Sequence, residues 1–194
     1  SVTSIGNSAF ENCSSLVSLI LPDNLEGIGS RAFFGCSSLK SIKIPDGVTK
    51  IDTAAFSECS SLESVNIPTG ITKIEPHVFS YCSALSSIDL HNNITEISFN
   101  AFTCCSSFES IVIPDSVTKL GTAAFSGCVS ADYIKFGKGT IHVLLSDFSG
   151  NSLKSIVLPV TLESISAHYA EFPLLEAICY EGAKEDWSQV QIWG

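Results

Sequence analysis

The sequence predicts a β-solenoid, a chain wound into stacked coils of short parallel strands with little helix. Phenylalanine recurs every 23 residues from Phe10 to Phe148, and cysteine recurs on the same step from Cys13 to Cys128. Each unit also contains an alternating apolar pattern that is typical of a strand with one buried face. A fixed step of about 20–50 residues is the signature of repeat architectures. Seven or eight copies of the unit fill the 194 residues.

The repeating unit defines the elements of each coil. Read from Ala32, it is A-F-x-x-C-S-S-L-x-S-I-x-I-P-x-x-V-T-x-I-x-x-x. Its L-x-x-I-x-I core predicts a short strand, which the following proline ends because proline cannot donate to a ladder. The V-T-x-I pattern predicts a second extended segment. One coil cannot bury its apolar set alone, so we expect the coils to stack on one another.

A step of 23 residues lies in the range of leucine-rich repeats, roughly 20–29 residues. We therefore expect a leucine-rich-repeat solenoid, a right-handed coil of mostly short parallel strands. The register is predicted to drift near the C-terminus, where Ile141 arrives one residue late. Asn151 takes the place of the cysteine, and Leu153 arrives one residue early.

Two domains are expected, a solenoid over residues 1–179 and a C-terminal cap over residues 180–194. Gly182 permits a turn, and residues 183–190 are predicted to form a short helix that lays Trp187 over the last coil. The chain begins in the middle of a unit at Ser1 and contains no methionine. We therefore expect it to be a fragment of a longer protein.

Composition narrows the possible functions. Apolar residues make up 45% of the chain, and ten basic against 20 acidic residues give a net charge of −10. A nucleic-acid partner is not expected, because such proteins carry a basic stripe. No apolar run approaches the roughly 20 residues of a membrane span, so membrane insertion of this segment is not expected either.

The unit resembles the BspA-like leucine-rich repeats, also called the Treponema pallidum type. The resemblance covers residues 1–180 and includes the 23-residue step and the Cys-Ser-Ser-Leu, Ile-Pro and Val-Thr-x-Ile motifs. Members of that family are mostly secreted or surface proteins of bacteria and mucosal protozoa, and their known functions are in adhesion. The resemblance implies a non-enzymatic module that binds an extracellular matrix or cell-surface protein. The alternative is a structural spacer or an intracellular scaffold. We expect a monomer.

The cysteines and histidines, which could bind a metal or react, have structural explanations. The cysteines that recur on the 23-residue step should form a column of buried thiols, because stacked coils about 4.8 Å apart do not suit disulfide geometry. Cys104 lies beside that column and points elsewhere. His77, His91, His142 and His168 fall at different phases of the repeat and lack the spacing of a metal site. Neither a catalytic residue nor a cofactor is predicted.

Two further repeated patterns have local explanations. Paired serines such as Ser37-Ser38 recur at one phase, where their hydroxyls can cap turns and bond neighbouring coils. Asn12-Cys13-Ser14 and Asn93-Ile94-Thr95 match the N-glycosylation pattern. Both overlap core positions of the repeat, which favours coincidence.

The predicted binding surface is the strand face, which comprises the side chains that project outward from each L-x-x-I-x-I strand. Its middle column is mostly serine, whereas its outer columns vary in charge and size. A solenoid binds partners on such a surface, but a merely solvated face would vary in the same way. The predicted partner contacts are Ile20, Lys40, Lys43, Glu63, Asn66, Asp89, Glu109, Val112, Asp132, Tyr133, Lys135, Lys154 and Val157.

Overall fold

The computed structural model describes residues 2–148, 151–167 and 172–193. Over these residues the chain forms a parallel β-solenoid of about eight coils, which confirms the predicted fold class. Its strands have only two to four residues each. They are β1 (Ser4–Ile5), β2 (Gly27–Ile28), β3 (Ser41–Ile42), β4 (Lys50–Ile51), β5 (Ser64–Val65), β6 (Lys73–Ile74), β7 (Glu96–Ile97), β8 (Ser110–Val112), β9 (Lys119–Leu120), β10 (Tyr133–Lys135), β11 (His142–Leu144), β12 (Ser155–Leu158), β13 (Ser164–Ser166), β14 (Ala177–Tyr180) and β15 (Gln191–Trp193).

The strands form two columns along the solenoid, and every pairing is parallel. The strand face contains the pair β3–β5 and a four-stranded sheet in the order β14-β12-β10-β8. The second column contains the sheets β1-β2-β4, β6-β7-β9 and β11-β13-β15. This arrangement confirms two extended segments per coil. Strands are missing from two of the predicted positions, residues 16–21 and 85–90.

A phenylalanine ladder runs through the core. From Phe10 to Phe125, neighbouring ring centroids are 5.1–5.6 Å apart and the ring planes lie within 9° of parallel. Phe33 and Phe79 are fully buried. Burial of one such ring contributes about 1.5–3 kcal/mol, and each ring also shields the next. The 23-residue step of the sequence therefore becomes one continuous stack.

The cysteine ladder is also buried, as predicted, from Cys36 to Cys128. Each thiol donates to the carbonyl oxygen of the phenylalanine 26 residues earlier, for example Cys59 Sγ to Phe33 O at 3.2 Å. Asn151 takes the next ladder position, and its Nδ2 makes the same kind of bond to Phe125 O at 3.5 Å. Cys13 belongs to the first coil and is exposed.

The turns on the side of the solenoid away from the strands use left-handed backbone. Two columns with a 23-residue step have φ between 55° and 73°, one beginning at Ser8 and the other at Asn12. Ten of these residues are not glycine, and each costs roughly 1–3 kcal/mol of strain. Their N–H groups bond the next coil, as between Arg31 N and Thr53 O at 3.0 Å. Inter-coil hydrogen bonds thus offset the strain.

The register drift is only partly as predicted. Tyr133 pairs with Ser155, a step of 22 residues, which confirms the early arrival of the strand that follows Leu153. The predicted late arrival of Ile141 is wrong. Thr140 keeps the buried ladder position at 3% exposure, whereas Ile141 is 37% exposed. A threonine has nearly the shape of the valine in other coils, so the backbone register is kept.

The C-terminal segment forms the predicted short helix, α1, at Lys184–Trp187. Trp187 packs against the core, and its ring centroid is 5.2 Å from that of Tyr180. β15 then adds another strand to the second column by pairing with β13, an arrangement that the sequence did not predict. The boundary predicted between residues 179 and 180 falls inside β14.

Candidate binding surface

The thirteen predicted contact residues all lie on the outside of the solenoid. Ten are exposed, and Tyr133, Lys135 and Val157 are half-buried. The inward residues of the same strands, such as Ile111 and Ile134, are at most 2% exposed. The alternation of the strands therefore positions the contact residues as predicted, and their role in binding stays a prediction.

A cleft of about 500 Å³ opens on the strand face, and we call it the strand-face cleft. The predicted contacts Lys43, Asn66 and Asp89 line it, together with Val65 and Ile88. It lies where the sheet is interrupted. No backbone hydrogen bond joins residues 63–67 to residues 86–90, all of which the structure describes.

The interruption exposes ladder side chains. Val65 and Ile88 are half-buried, although Ile42 in the same column is 4% exposed and Ile111 is 2% exposed. A smaller cavity of about 260 Å³ adjoins the strand-face cleft and is lined by Ile20, Asp23 and Lys43 among others. Ile20 is 95% exposed. Apolar surface is therefore concentrated around Lys43.

The two halves of the strand face differ in how many of their charged residues form ion pairs. Seven of the ten basic side chains form ion pairs within residues 2–148, 151–167 and 172–193. Lys40 and Lys43, both on the strand face, form none there. The carboxylates of Glu63 and Asp89 likewise have no ion-pair partner in that part of the chain. The charges beside the cleft are thus available to a ligand.

In the C-terminal half of the strand face, the lysines form ion pairs with acidic residues of the chain. Lys135 Nζ lies 2.5 Å from Glu181 Oε1, and Lys154 Nζ lies 3.5 Å from Asp132 Oδ2. The hydrogen bond that Lys135 donates to the Glu181 carboxylate raises the pKa of Lys135. Val112, which is 54% exposed, gives this half its most accessible apolar contact.

Comparison with known families identifies the repeat. Residues 3–132 and 95–179 match the model of the BspA type leucine rich repeat region, in six copies. The chain belongs to the BspA-type leucine-rich-repeat family. Leucine-rich-repeat solenoids present extended surfaces to protein partners. No curated protein matches the chain.

Solved structures agree with this assignment. A leucine-rich repeat protein from Bacteroides ovatus is 36% identical, with a TM-score of 0.78, and the match covers 84% of this chain. The match spans 45% of the Bacteroides ovatus chain. The leucine-rich repeat protein of T. pallidum is 27% identical over 92% of this chain and 66% of its own, with a TM-score of 0.52. The pneumococcal vaccine antigen PcpA, 18% identical over 99% of this chain and 59% of its own, shares the fold with a TM-score of 0.60.

One predicted contact has a structural role in this BspA-type coil. The Asn66 side chain makes two hydrogen bonds to the backbone of Ile44, from Nδ2 to the carbonyl oxygen and from the Ile44 N–H to Oδ1, both 2.8 Å long. The amide thus replaces the backbone of the neighbouring strand, and the β3–β5 pairing ends after two residues. Asn66 forms a fixed wall of the strand-face cleft.

The thiols of the BspA-type cysteine ladder are unreactive at neutral pH. Burial raises the pKa of Cys82 and of Cys128 to about 12, so both stay protonated at neutral pH. Cys104 is half-buried outside the ladder, as predicted. No disulfide joins the cysteines of the described residues.

In the described part of this BspA-type chain, no cluster of histidine, cysteine or acidic side chains could hold a metal ion. His142 Nδ1 lies 2.9 Å from Ser164 Oγ in an exposed pair, and His168 lies outside the described residues. Asn93 is exposed, and its Nδ2 donates to Thr69 O at 3.0 Å. Among the described residues, no helix is long and apolar enough to span a membrane.

Sequence reasoning missed a second groove, of about 670 Å³, on the turn side of the BspA-type solenoid. Glu58, Tyr81 and Cys104, which all have left-handed backbone, line one side. Serines line the other side. The hydroxyls of Ser60, Ser83 and Ser106 each donate to a serine carbonyl of the preceding coil, as Ser83 Oγ does to Ser60 O at 3.2 Å. This confirms the inter-coil role predicted for the serines. The lining residues recur on the 23-residue step, but nothing in the sequence shows that the backbone leaves a groove between them.

Proposed function

We propose that this chain is the non-enzymatic protein-interaction module of a cell-surface or secreted adhesin. It binds an extracellular matrix protein or a protein of another cell through the strand face. The observation that carries the proposal is the strand-face cleft, where apolar side chains, and charges without an ion-pair partner among the described residues, stay open to solvent on a rigid repeat scaffold. Interfaces combine such an apolar centre with a polar rim. Membership of a family whose known functions are in adhesion supports the surface location.

The first experiment is surface biotinylation of intact source cells, followed by detection of the protein in the labelled fraction. Labelling supports the adhesin. A protein that is found only in the unlabelled lysate would contradict it and favour a scaffold inside the cell.

The second experiment measures binding of the purified chain to a panel of immobilised matrix proteins and to neighbouring cells. Contacts spread over several coils should be additive, so Lys43→Ala and Asp132→Ala should each weaken binding by only about threefold, as expected for exposed charges. Lys50→Ala is the matched control, because this exposed lysine lies in β4, away from the strand face. Loss of all binding in one single variant would count against spread contacts.

A spacer that stacks with further repeats is the second candidate function. It is favoured by the last strands, where Ile178 is 50% exposed and Ile192 is 61% exposed. Both are in register with buried ladder residues of the preceding coil, Ile156 and Ile165. Truncations that leave ligand binding unchanged but shorten reach from the cell surface would favour the spacer.

A further inference from the structure

The two ends of the strand-face cleft carry opposite charges: Lys40 and Lys43 lie at one end and Asp89 at the other. We propose that it binds an extended protein segment whose charges are segregated. The acidic end of the segment lies against Lys40 and Lys43, an apolar side chain sits on Val65 and Ile88, and the basic end faces Asp89. This inference rests on the proposed function, because it names the partner chemistry of the same surface.

The floor of the cleft calls for an apolar side chain. Val65 and Ile88 occupy a ladder position that Ile111, Ile134 and Ile156 bury in later coils, at 2% exposure or less. Here they are only half-buried, because no backbone hydrogen bond joins residues 63–67 to residues 86–90. Covering them with an apolar side chain would remove their apolar surface from water, as packing already does for the ladder residues of later coils. The volume of about 500 Å³ accommodates more than one side chain.

The walls of the cleft give the ligand its charge order. Lys43 follows β3, and Asp89 lies two coils further on, which corresponds to roughly 10 Å along the solenoid at the spacing of stacked strands. Neither forms an ion pair within the described residues, whereas most lysines of this chain do. A separation of this size is comparable to the Debye length of about 8 Å at physiological ionic strength. A ligand therefore experiences each charge separately.

The middle of the cleft has one fixed wall. Asn66 is fixed by its two bonds to the backbone of Ile44, and Ser64 and Ser87 present only small side chains. The lining spans three successive coils, which favours an extended segment that runs along the solenoid. A fixed wall between opposite charges also favours one register of that segment, because a shifted ligand would place like charges together.

Segments with a single sign of charge fit less well. An all-acidic segment meets Asp89 and Glu63 as well as the field of a chain with net charge −10. An all-basic segment meets Lys40 and Lys43 at the other end. Like-charge contacts suppress wrong partners, so both single-sign classes should bind more weakly than a segment with segregated charges.

The test uses capped synthetic peptides and the full chain. One peptide carries glutamates, then leucines, then lysines; a second has the same composition with the charges interleaved; a third and a fourth replace all charges by glutamate or by lysine. Binding is measured by fluorescence anisotropy at about 150 mM salt. We expect the segregated peptide to bind at least fivefold more tightly than the other three.

Matched variants locate the site. Lys43→Glu and Asp89→Lys should each weaken binding of the segregated peptide by about fivefold to tenfold, since each creates a like-charge contact. Lys50→Glu reverses an exposed lysine outside the strand face and should leave binding unchanged. Asp89→Lys should at the same time strengthen binding of the all-glutamate peptide, a gain that loss of folding cannot produce.

Equal binding of the segregated and interleaved peptides, or no binding of any peptide, would overturn the inference. The proposed function would still stand if a matrix or cell-surface protein binds the strand face in the panel experiment. If the segregated peptide binds while no protein of the panel does, the cleft chemistry is right and the adhesin assignment fails.

Discussion

The coils up to Ile97 and the coils that follow it achieve the same stacking by different means. In the first region the strand face holds a single pair of two-residue strands, β3 and β5, whereas in the second it holds the four-stranded sheet β14-β12-β10-β8. The phenylalanine ladder shows the opposite trend. Its rings are 5.1–5.6 Å apart as far as Phe125, but Phe148 lies 6.2 Å from Phe125.

This difference shows that a strict sequence repeat does not require a continuous sheet. Where the 23-residue unit is most regular, stacked rings, thiol-to-carbonyl bonds and left-handed turns hold the coils together. Longer strands begin with the β8–β10 pair, which still has the 23-residue step, and continue where the step shortens to 22 residues between β10 and β12. The region with the weaker sheet is also the region with the strand-face cleft, because unpaired strands leave room for a ligand.

The largest effect should come from the ladder on which the first region depends. Phe79→Ala removes a fully buried ring that has a stacked neighbour on each side and should cost about 3–5 kcal/mol in free energy of unfolding. Phe148→Ala, beside the long strands, should cost only about 0.5 kcal/mol less, because its stack with Phe125 is wider, at 6.2 Å, although Phe136 adds an edge contact at 5.5 Å. Denaturant titration measures both. A loss below about 1 kcal/mol for Phe79→Ala would mean that the ladder is not buried.

An intermediate effect is expected at the wall of the cleft. Asn66→Ala leaves the N–H and carbonyl of buried Ile44 without their partners and should cost about 2 kcal/mol. Glu63→Ala, at an exposed site without an ion pair among the described residues, should stay within about 0.5 kcal/mol. Equal values in urea titration for the two variants would show that the Asn66 bonds do not hold the first region together.

The smallest effect should appear only at alkaline pH. Burial raises the pKa of Cys82 from about 9 to about 12, so above pH 9 the unfolded chain releases a proton that the folded chain keeps. Stability therefore falls as pH rises from 9 toward 12, by about 1.4 kcal/mol for this thiol at pH 10. Cys82→Ala should lose that much less stability between pH 8 and pH 10. Cys179→Ala, at an exposed thiol, should match the parent chain; a matching loss in Cys82→Ala would contradict the shift.

Much of the fold could be predicted because the solenoid is nearly one-dimensional. The 23-residue step placed Phe33, Cys36 and Ile42 in the core, and the alternation within each strand placed Lys43 on the outside. The prediction failed at Ile141, since a polar Thr140 can fill an apolar ladder position of its own shape. It also failed at residues 85–90, whose apolar pattern matches that of paired strands although the segment remains unpaired.

The sequence by itself determined the repeat, the ladders and the set of outward side chains, since these depend only on spacing along the chain. Tertiary structure decided which of those side chains act together. Asn66 forms a wall of the cleft because its amide reaches Ile44 in the preceding coil. Lys135 is ion-paired because the fold places Glu181 beside it. Hydrogen bonds and ion pairs between coils depend on distances in space. A pattern that fixes position within a coil therefore cannot say which coils stay paired and which stay open to a partner.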